Sequence, residues 1–419
     1  PPRSTLFPYT TLFRSPDPRL RALVTAALEH NRDMVVATAQ VAAARAQYGV
    51  QKADQLPTLN LGVSQTGSRV PGDLSSTGES LVSRRYDVDL GVSAFELDFW
   101  GRVASLKDAA LASYLATDEA QKSFRLSLIS DVADAYLILL EMTERLVLAR
   151  QTLESRVESR KLIGKRREVG LAGDLDYLAA DAAYQAALGE VASLERQRAA
   201  ANNSLNLLVG TMPPDLPAGL SLAEQGLPTL SAGLPAEVLL KRPDVLSAEQ
   251  SLMAANANVG AARAAFFPRI SLTGSFGTAS RELSGLFDSG SRAWSFQPSL
   301  TLPLFDWGRT RANVDLAEAR KVIAVAQYEQ AIQQAFREVA DLLVSQEQLR
   351  LQLDAQAAAE KSQGQRLKIV EARYQGGVAS YLELLDAQRE FVSAQQGVVQ
   401  LRRQWLSASN QLYKALGGG

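Results

Sequence analysis

Residues 294–302 read Trp-Ser-Phe-Gln-Pro-Ser-Leu-Thr-Leu, a stretch in which apolar side chains alternate with small polar ones. Three further stretches show the same alternation: 57–64, 86–93 and 269–276. A period of two, with one apolar and one polar face, is typical of β-strands. The sequence therefore predicts four strands in each chain.

The four strands group into two hairpins, at about 57–97 and 268–304. Residues 65–85 and 277–293 are rich in Gly, Ser and Asp, and we interpret them as exposed hairpin loops. Four strands are too few to close a barrel with a lumen, so several chains would have to pool them. Strands with an outward apolar face and an inward polar face are what a membrane barrel needs.

The chain is an internal duplication. Residues 28–64 match 239–275 at a separation of 211, at which Pro57 pairs with Pro268. Farther along the separation is 207, and Trp100-Gly101-Arg102 pairs with Trp307-Gly308-Arg309. We divide the chain into a first repeat, a connector rich in Pro and Gly, a second repeat and a short tail: 16–208, 209–235, 236–415 and 416–419.

Each repeat is mostly helical. Residues 103–163 and 310–363 contain neither Gly nor Pro, and each predicts one very long helix. Shorter helices are expected at about 20–55, 175–208, 236–267 and 381–415. Helices this long exceed the usual globular length and favour a coiled-coil-like assembly.

Composition excludes several classes of protein. The chain has 44 basic and 45 acidic residues and no cysteine, so neither nucleic-acid binding nor thiol chemistry is indicated. Its one histidine, His30, has no suitable neighbour for catalysis, and no phosphate-binding or nucleophile motif is present. We therefore expect no enzyme activity, no cofactor and no metal.

The first fifteen residues match nothing downstream and contain Thr-Leu-Phe twice, at 5–7 and 11–13. We interpret residues 1–15 as an artefact of cloning or sequencing, with a disordered native terminus as the alternative. We expect the native start of the protein to lie upstream.

Several motifs together resemble the TolC-type outer-membrane factors, and among them the lipoprotein branch that serves efflux pumps. The paired Trp-Gly-Arg motifs carry the resemblance, with Lys-Arg-Pro-Asp at 241–244, Ala-Ala-Phe-Phe-Pro-Arg-Ile at 264–270 and the segment 373–388. The resemblance covers about residues 17–417. Each motif alone is weak, but their order and duplication are specific.

This resemblance implies a fold, a location and partners. The expected fold is a mixed, mostly α architecture in which long antiparallel helices build a tunnel in the periplasm. Three chains would form a homotrimer, and their twelve strands would make a transmembrane β-barrel in outer-membrane lipid. A periplasmic adaptor and an inner-membrane pump are the expected partners. The lipoprotein branch begins at an acylated cysteine, which is absent from this sequence.

The resemblance also implies a gate at the periplasmic helix tips. Leu382, Glu383 and Asp386 would lie at the constriction, and Arg373 and Tyr374 would take part in the bonds that close it. Their counterparts in the first repeat are Asp174 and Asp176, and Gly170 and Gly377 would form the turns. Arg373 is the expected partner of the acidic ring.

Each of these residues also has a structural interpretation. Ser380 and Glu383 fit a capping box, Asp174 fits an N-cap, and Asp386 fits a solvated helix face. Trp100 and Trp307 could belong to an aromatic girdle at the membrane interface. We favour packing of the bend between strand and helix for both tryptophans, with Gly101 and Gly308 permitting the bend.

The sequence therefore predicts a passive exit channel of an efflux pump, with the channel of a type I secretion system as an alternative. A soluble coiled-coil scaffold is the alternative from another class of protein. A scaffold has no reason to keep the outward faces of four strands apolar, which favours the channel.

Overall fold

The computed structural model describes residues 15–226 and 236–418. Seven α-helices and four strands follow one another in the order α1–α2–β1–β2–α3–α4–α5–β3–β4–α6–α7 within that part of the chain. The helices are α1 Pro18–His30, α2 Arg32–Ala53, α3 Arg102–Glu168, α4 Asp174–Val209, α5 Pro243–Ala264, α6 Arg309–Gln375 and α7 Tyr381–Ala415. The strands are β1 Leu59–Val70, β2 Leu81–Glu96, β3 Arg269–Ser280 and β4 Arg292–Thr301. The mostly α fold with four strands is confirmed.

Two helices differ from the sequence prediction because single residues interrupt them. Asn31 has ψ 130° and separates α1 from α2 where one helix was expected at about 20–55. Its side-chain oxygen accepts the Met34 backbone N–H at 2.9 Å, so Asn31 caps the start of α2. In the second repeat, Pro243 begins α5 after a short 3₁₀ turn at Ala236–Lys241, since a residue before proline avoids the α-conformation.

The chain divides into two compact units. A helical unit comprises the described parts of residues 1–39, 119–246 and 330–419, and a sheet unit comprises 40–118 and 247–329. No helix in the described ranges is both long and apolar enough to cross a membrane.

In the sheet unit, the strands form one antiparallel sheet in the order β1-β2-β3-β4. The strands continue beyond the predicted ones, into 65–70, 81–85 and 277–280, which were expected to be loop. Backbone pairing continues there without apolar alternation, as in the pairing of Gly67 with Arg84. A bulge at Ser93 and Ala94 shifts the register between β2 and β3.

The registers place the apolar residues of all four strands on one face. Leu61 lies opposite Leu90, Leu90 lies opposite Phe276, and Phe276 lies opposite Trp294. All four of these side chains are more than half exposed. The other face is polar, and there the Ser275 and Ser295 hydroxyls are 2.8 Å apart.

In the helical unit, an apolar cluster joins α1, α3 and α4 around Tyr136 and Leu23. The buried carboxylate of Asp17 lies beside it and accepts hydrogen bonds from the Tyr136 hydroxyl at 3.0 Å, the Leu220 N–H at 3.1 Å and the Gln225 side chain at 2.6 Å. Part of the predicted connector, 210–226, is thereby attached to α1 and α3. Residues 227–235 of the connector and 1–14 of the predicted artefact lie outside the described residues.

Candidate functional site

Two short turns in the helical unit contain the predicted gate residues. Residues 169–173 join α3 to α4, and 376–380 join α6 to α7. Gly170 and Gly377 have φ angles of 76° and 75°, which residues with a side chain adopt at a cost. The Leu171 N–H donates to the Arg166 carbonyl at 2.7 Å, and the Val378 N–H donates to the Arg373 carbonyl at 2.8 Å. Both helices therefore end in the same Schellman turn.

The helices that follow the turns begin differently. The Ser380 hydroxyl caps α7 by accepting the Glu383 N–H at 3.2 Å. Gly173 is the N-cap of α4, so Asp174 is not the cap that the sequence suggested but the first helical residue. The Asp174 carboxylate pairs instead with Arg167 at 2.6 Å. Asp176, one helical position beyond Leu175, is half-buried.

The acidic residues of the second turn have arginine partners. Asp386 lies between two guanidinium groups, with Arg366 at 2.8 Å and Arg389 at 2.9 Å. Glu383 pairs with Arg373 at 3.1 Å across the turn. Arg373 thus neutralises Glu383 and not Asp386. Arg366 and Arg389 were not among the predicted gate residues, although Arg389 follows Asp386 by one helical turn, a spacing typical of ion pairs.

Aromatic side chains connect the first repeat to the second at this site. The Arg166 guanidinium donates to the Tyr374 hydroxyl at 3.1 Å and lies 5.6 Å from the centre of the Tyr374 ring. The Tyr374 and Tyr381 rings are 6.0 Å apart and inclined at 56°. Tyr381 is buried among Ile163 and Ala180, and burial raises the pKa of its hydroxyl. Arg166 and Tyr381 are therefore contact residues that sequence reasoning did not place at the gate.

Leucine side chains at the turns point away from this packed layer. Leu382 is about half exposed, whereas its neighbour Leu384 is buried against Val370. In the first repeat Leu175 is also exposed. Each helix pair thus presents charged and apolar side chains on an outer surface above a packed core.

Farther from the turns, Arg156 is buried and its guanidinium bonds to the side-chain oxygen of Gln388. Burial lowers the pKa of Arg156, because the charged form loses solvation. This contact also joins α3 to α7.

Trp100 and Trp307 lie in the sheet unit. Trp100 stacks on Phe267, with ring centres 4.7 Å apart, and its indole N–H donates to the Pro268 carbonyl at 2.8 Å. Trp307 differs from the packing that the sequence suggested, since its side chain is fully exposed and its φ angle is 57°. Gly101 and Gly308 have φ angles of 72° and 85° at the two bends.

Comparison with known proteins assigns a family. A family model described as outer membrane efflux protein matches residues 23–211 and 234–418, which correspond to the two repeats. The chain belongs to the outer membrane efflux protein family. It is 47% identical to the solvent efflux pump outer membrane protein SrpC of Pseudomonas putida over 96% of this chain and 86% of SrpC. It is also 47% identical to the outer membrane protein OprJ of Pseudomonas aeruginosa over 96% of this chain and 85% of OprJ.

Solved structures show the same fold. The MtrE outer membrane channel of Neisseria gonorrhoeae in its open state superposes with a TM-score of 0.89 at 39% identity, covering 100% of this chain and 94% of MtrE. CusC superposes with a TM-score of 0.88 at 38% identity, covering 97% of this chain and 93% of CusC. The predicted family and function are confirmed: the chain is an outer-membrane channel subunit of an efflux pump. The scaffold alternative is set aside.

Proposed function

We propose that the two turns, 169–173 and 376–380, form the periplasmic gate of a homotrimeric channel, and that Asp386 lies at its constriction. The arrangement of Asp386 between Arg366 and Arg389 carries this proposal. Three copies of each turn around one axis would bring three Asp386 carboxylates together. Like charges repel at short range, and arginine partners on each copy offset that repulsion.

The ion pairs of the gate are weak enough to be released. The side chains of Asp386, Glu383, Arg366 and Arg373 are between 39% and 48% exposed. Exposed pairs contribute about 0.2–1 kcal/mol each, so the pairs of three copies sum to a few kcal/mol. A docked adaptor that binds the open gate more tightly than the closed one could supply a free energy of this size.

The channel itself needs no energy source in this proposal. The inner-membrane pump drives transport, and the adaptor connects the pump to the helix tips. SrpC is named for solvent efflux, so we propose small organic compounds as a cargo class for this chain, with the pump setting the specificity. The sheet unit would lie in the outer membrane, with the apolar face of Leu61 and Leu90 toward lipid and the polar face toward the lumen.

Single-channel conductance in planar bilayers tests the gate. We expect Asp386→Ala to raise the conductance, and to weaken block by multivalent cations added from the periplasmic side, because a ring of charge is removed. Leu382→Ala should raise the conductance because the smaller side chain leaves a wider opening. It should leave the cation block unchanged because no charge is removed.

Glu390→Ala is the matched control, because Glu390 also contacts Arg389, at 3.3 Å, but lies one turn farther along α7. Its conductance should equal that of the wild type. Unchanged conductance in both Asp386→Ala and Leu382→Ala would show that the turn is a capped helix end without a gating role.

A further inference from the structure

Trp100, which follows β2, packs on a contact surface formed by the Phe267 ring and the Pro268 carbonyl, which we call its seat. Trp100 stacks on Phe267 at 4.7 Å and donates its indole N–H to the Pro268 carbonyl. Phe267 and Pro268 immediately precede β3, the strand that pairs with β2. A tryptophan that follows one strand is thus seated on the two residues that precede the next strand in the sheet.

The duplicated junction after β4 lacks such a seat. Trp307 follows β4 as Trp100 follows β2, yet its relative exposure is 101% against 46% for Trp100. Leu304 and Phe305 beside it are exposed as well, at 79% and 92%. Exposure of this size for three large apolar side chains indicates a surface that another chain covers. β4 is an edge strand, so no strand of this sheet lies beyond it.

The duplication identifies the residues that correspond to the missing seat. At the separation of 211, Phe267 and Pro268 correspond to Leu56 and Pro57. These two residues lie one residue before β1, with Thr58 between them and the strand, and β1 is the opposite edge strand of the same sheet. Leu56 is 71% exposed and Pro57 is exposed too. Trp307, next to edge strand β4, therefore has no contact surface within the sheet. Leu56 and Pro57, next to edge strand β1, form such a surface with no tryptophan on it.

We propose that Trp307 of one copy is seated on Leu56 and Pro57 of the neighbouring copy, with its indole N–H donating to the Pro57 carbonyl. The proposal rests on the trimeric channel proposed above and specifies how its copies join. β4 then pairs with β1 of the neighbouring copy in the antiparallel register that relates β2 to β3. An open row of backbone donors and acceptors on each edge favours this pairing.

The β2–β3 register fixes the residues that meet. Phe95 lies opposite Leu272, and the same relation brings Leu302 opposite Leu61 of the neighbouring copy. Leu302 follows Leu300 by two residues and Leu61 lies on the apolar face of β1, so the apolar face continues across the junction. The Leu97 N–H donates to the Ile270 carbonyl at 2.9 Å, and the corresponding bond would join Leu304 to Leu59.

Disulfide cross-linking in outer membranes tests the register, and the chain has no native cysteine to interfere. We expect a variant with Leu302→Cys and Leu61→Cys to give disulfide-linked dimers and trimers on non-reducing gels, because opposite Cβ atoms in antiparallel strands are about 4.5–5.5 Å apart. The matched control carries Leu302→Cys with Val63→Cys, which is two residues out of register on the same face. Stronger linkage in the control than in the test pair, in an intact trimer, would overturn the register.

Thermal dissociation of the trimer in detergent tests the seat. We expect Trp307→Ala and Leu56→Ala each to lower the dissociation temperature, and the double variant to lower it no further, because both remove one contact. Phe287→Ala, at an exposed phenylalanine between β3 and β4, is the control and should have little effect. Additive effects would overturn the contact. If the trimer is unaffected and Trp307→Phe removes part of the emission that brominated lipid quenches, Trp307 lies at the membrane interface instead. A monomeric wild type in native mass spectrometry would instead contradict the trimeric channel itself.

Discussion

Asp17 shows how one buried residue attaches three parts of the helical unit. Its carboxylate is fully buried and caps α1 by accepting the Arg19 and Leu20 backbone N–H groups at 2.8 and 3.3 Å. It also accepts from the Tyr136 hydroxyl and the Gln225 amide. Burial alone would raise the pKa of Asp17, but these hydrogen bonds lower it below its ordinary value of 3.8.

Asp17→Asn is expected to destabilise the helical unit by about 1–3 kcal/mol at neutral pH. The new amide NH₂ would face the Tyr136 hydroxyl, the Leu220 N–H and the Gln225 NH₂, which are all donors to the carboxylate in the wild type. The pKa of Asp17 is lower in the folded than in the unfolded chain. The carboxylate therefore contributes stability above the unfolded pKa, and this contribution is lost as the pH falls through the folded pKa. Thermal unfolding should show a difference between wild type and variant that shrinks in acid. An equal difference at neutral and acidic pH would contradict this role.

At the two turns proposed as the gate, local capping was predictable from the sequence, whereas the ion-pair partners were not. The capping role of Ser380 follows from its spacing to Glu383, which is a local property. The pairing of Asp386 with Arg366 joins residues 20 positions apart and depends on the relative rotation of α6 and α7. Packing decides that rotation, so the pattern along one helix could not predict it. The contact of Arg166 with Tyr374, between residues 208 positions apart, is of the same kind.

The turns between helices depend on single glycines. Gly377→Ala should destabilise the α6–α7 turn by about 1–2 kcal/mol, because an L-residue resists a φ angle of 75°. Gly376→Ala is the matched control, since Gly376 has no positive φ angle and an added Cβ would lie 3.5 Å from the nearest atom, which is ordinary contact. Hydrogen exchange over 373–381 measures the local effect. Equal exchange in both variants would contradict the requirement for glycine at this position.

The strands were predictable in type and face but not in length. Alternation located the apolar face, and the registers place Leu61, Leu90, Phe276 and Trp294 on it together. The extensions such as 65–70 carry no alternation and are held by backbone pairing, which depends on the partner strand. The bulge at Ala94, with a φ angle of 50°, likewise left no signal in the pattern.

We expect an introduced charge to destabilise the protein more on the apolar face of the sheet than on the polar face. Phe276→Arg should destabilise the membrane-inserted protein by about 2–4 kcal/mol if this position lies near the bilayer midplane, because arginine on a lipid-facing strand loses its hydration. Ser275→Arg, the neighbouring position on the polar face, should be milder. The yield of heat-resistant trimer from outer membranes measures both. Equal loss in the two variants would contradict the assignment of faces.

For the whole molecule, the duplication was the most informative feature of the sequence. It located both helix pairs, and the two turns are the same motif with glycines at matching positions. The interruption of the first predicted helix at Asn31 was not foreseeable from local propensity. Its side-chain amide donates to the Leu208 carbonyl at 2.9 Å, a contact between residues 177 positions apart.

The same duplication exposes what one chain lacks. Trp100 packs on Phe267 and Pro268 within the sheet, whereas the Trp307 side chain is fully exposed. Both edge strands carry exposed apolar residues, including Leu59 and Leu300. In the proposed trimer, each copy supplies Trp307 to one neighbour and the surface of Leu56 and Pro57 to the other.

The central claim is that three helix tips converge on one axis at Asp386 and close the channel there. Asp386→Cys tests it directly, because the chain has no other cysteine and three thiolates around an axis form a site for a soft metal ion. Cd²⁺ added from the periplasmic side should block this variant at a much lower concentration than it blocks the wild type, because thiolates bind Cd²⁺ more tightly than carboxylates do, and a chelator should restore the conductance. A conducting Asp386→Cys channel that is no more sensitive to Cd²⁺ than the wild type would contradict the claim.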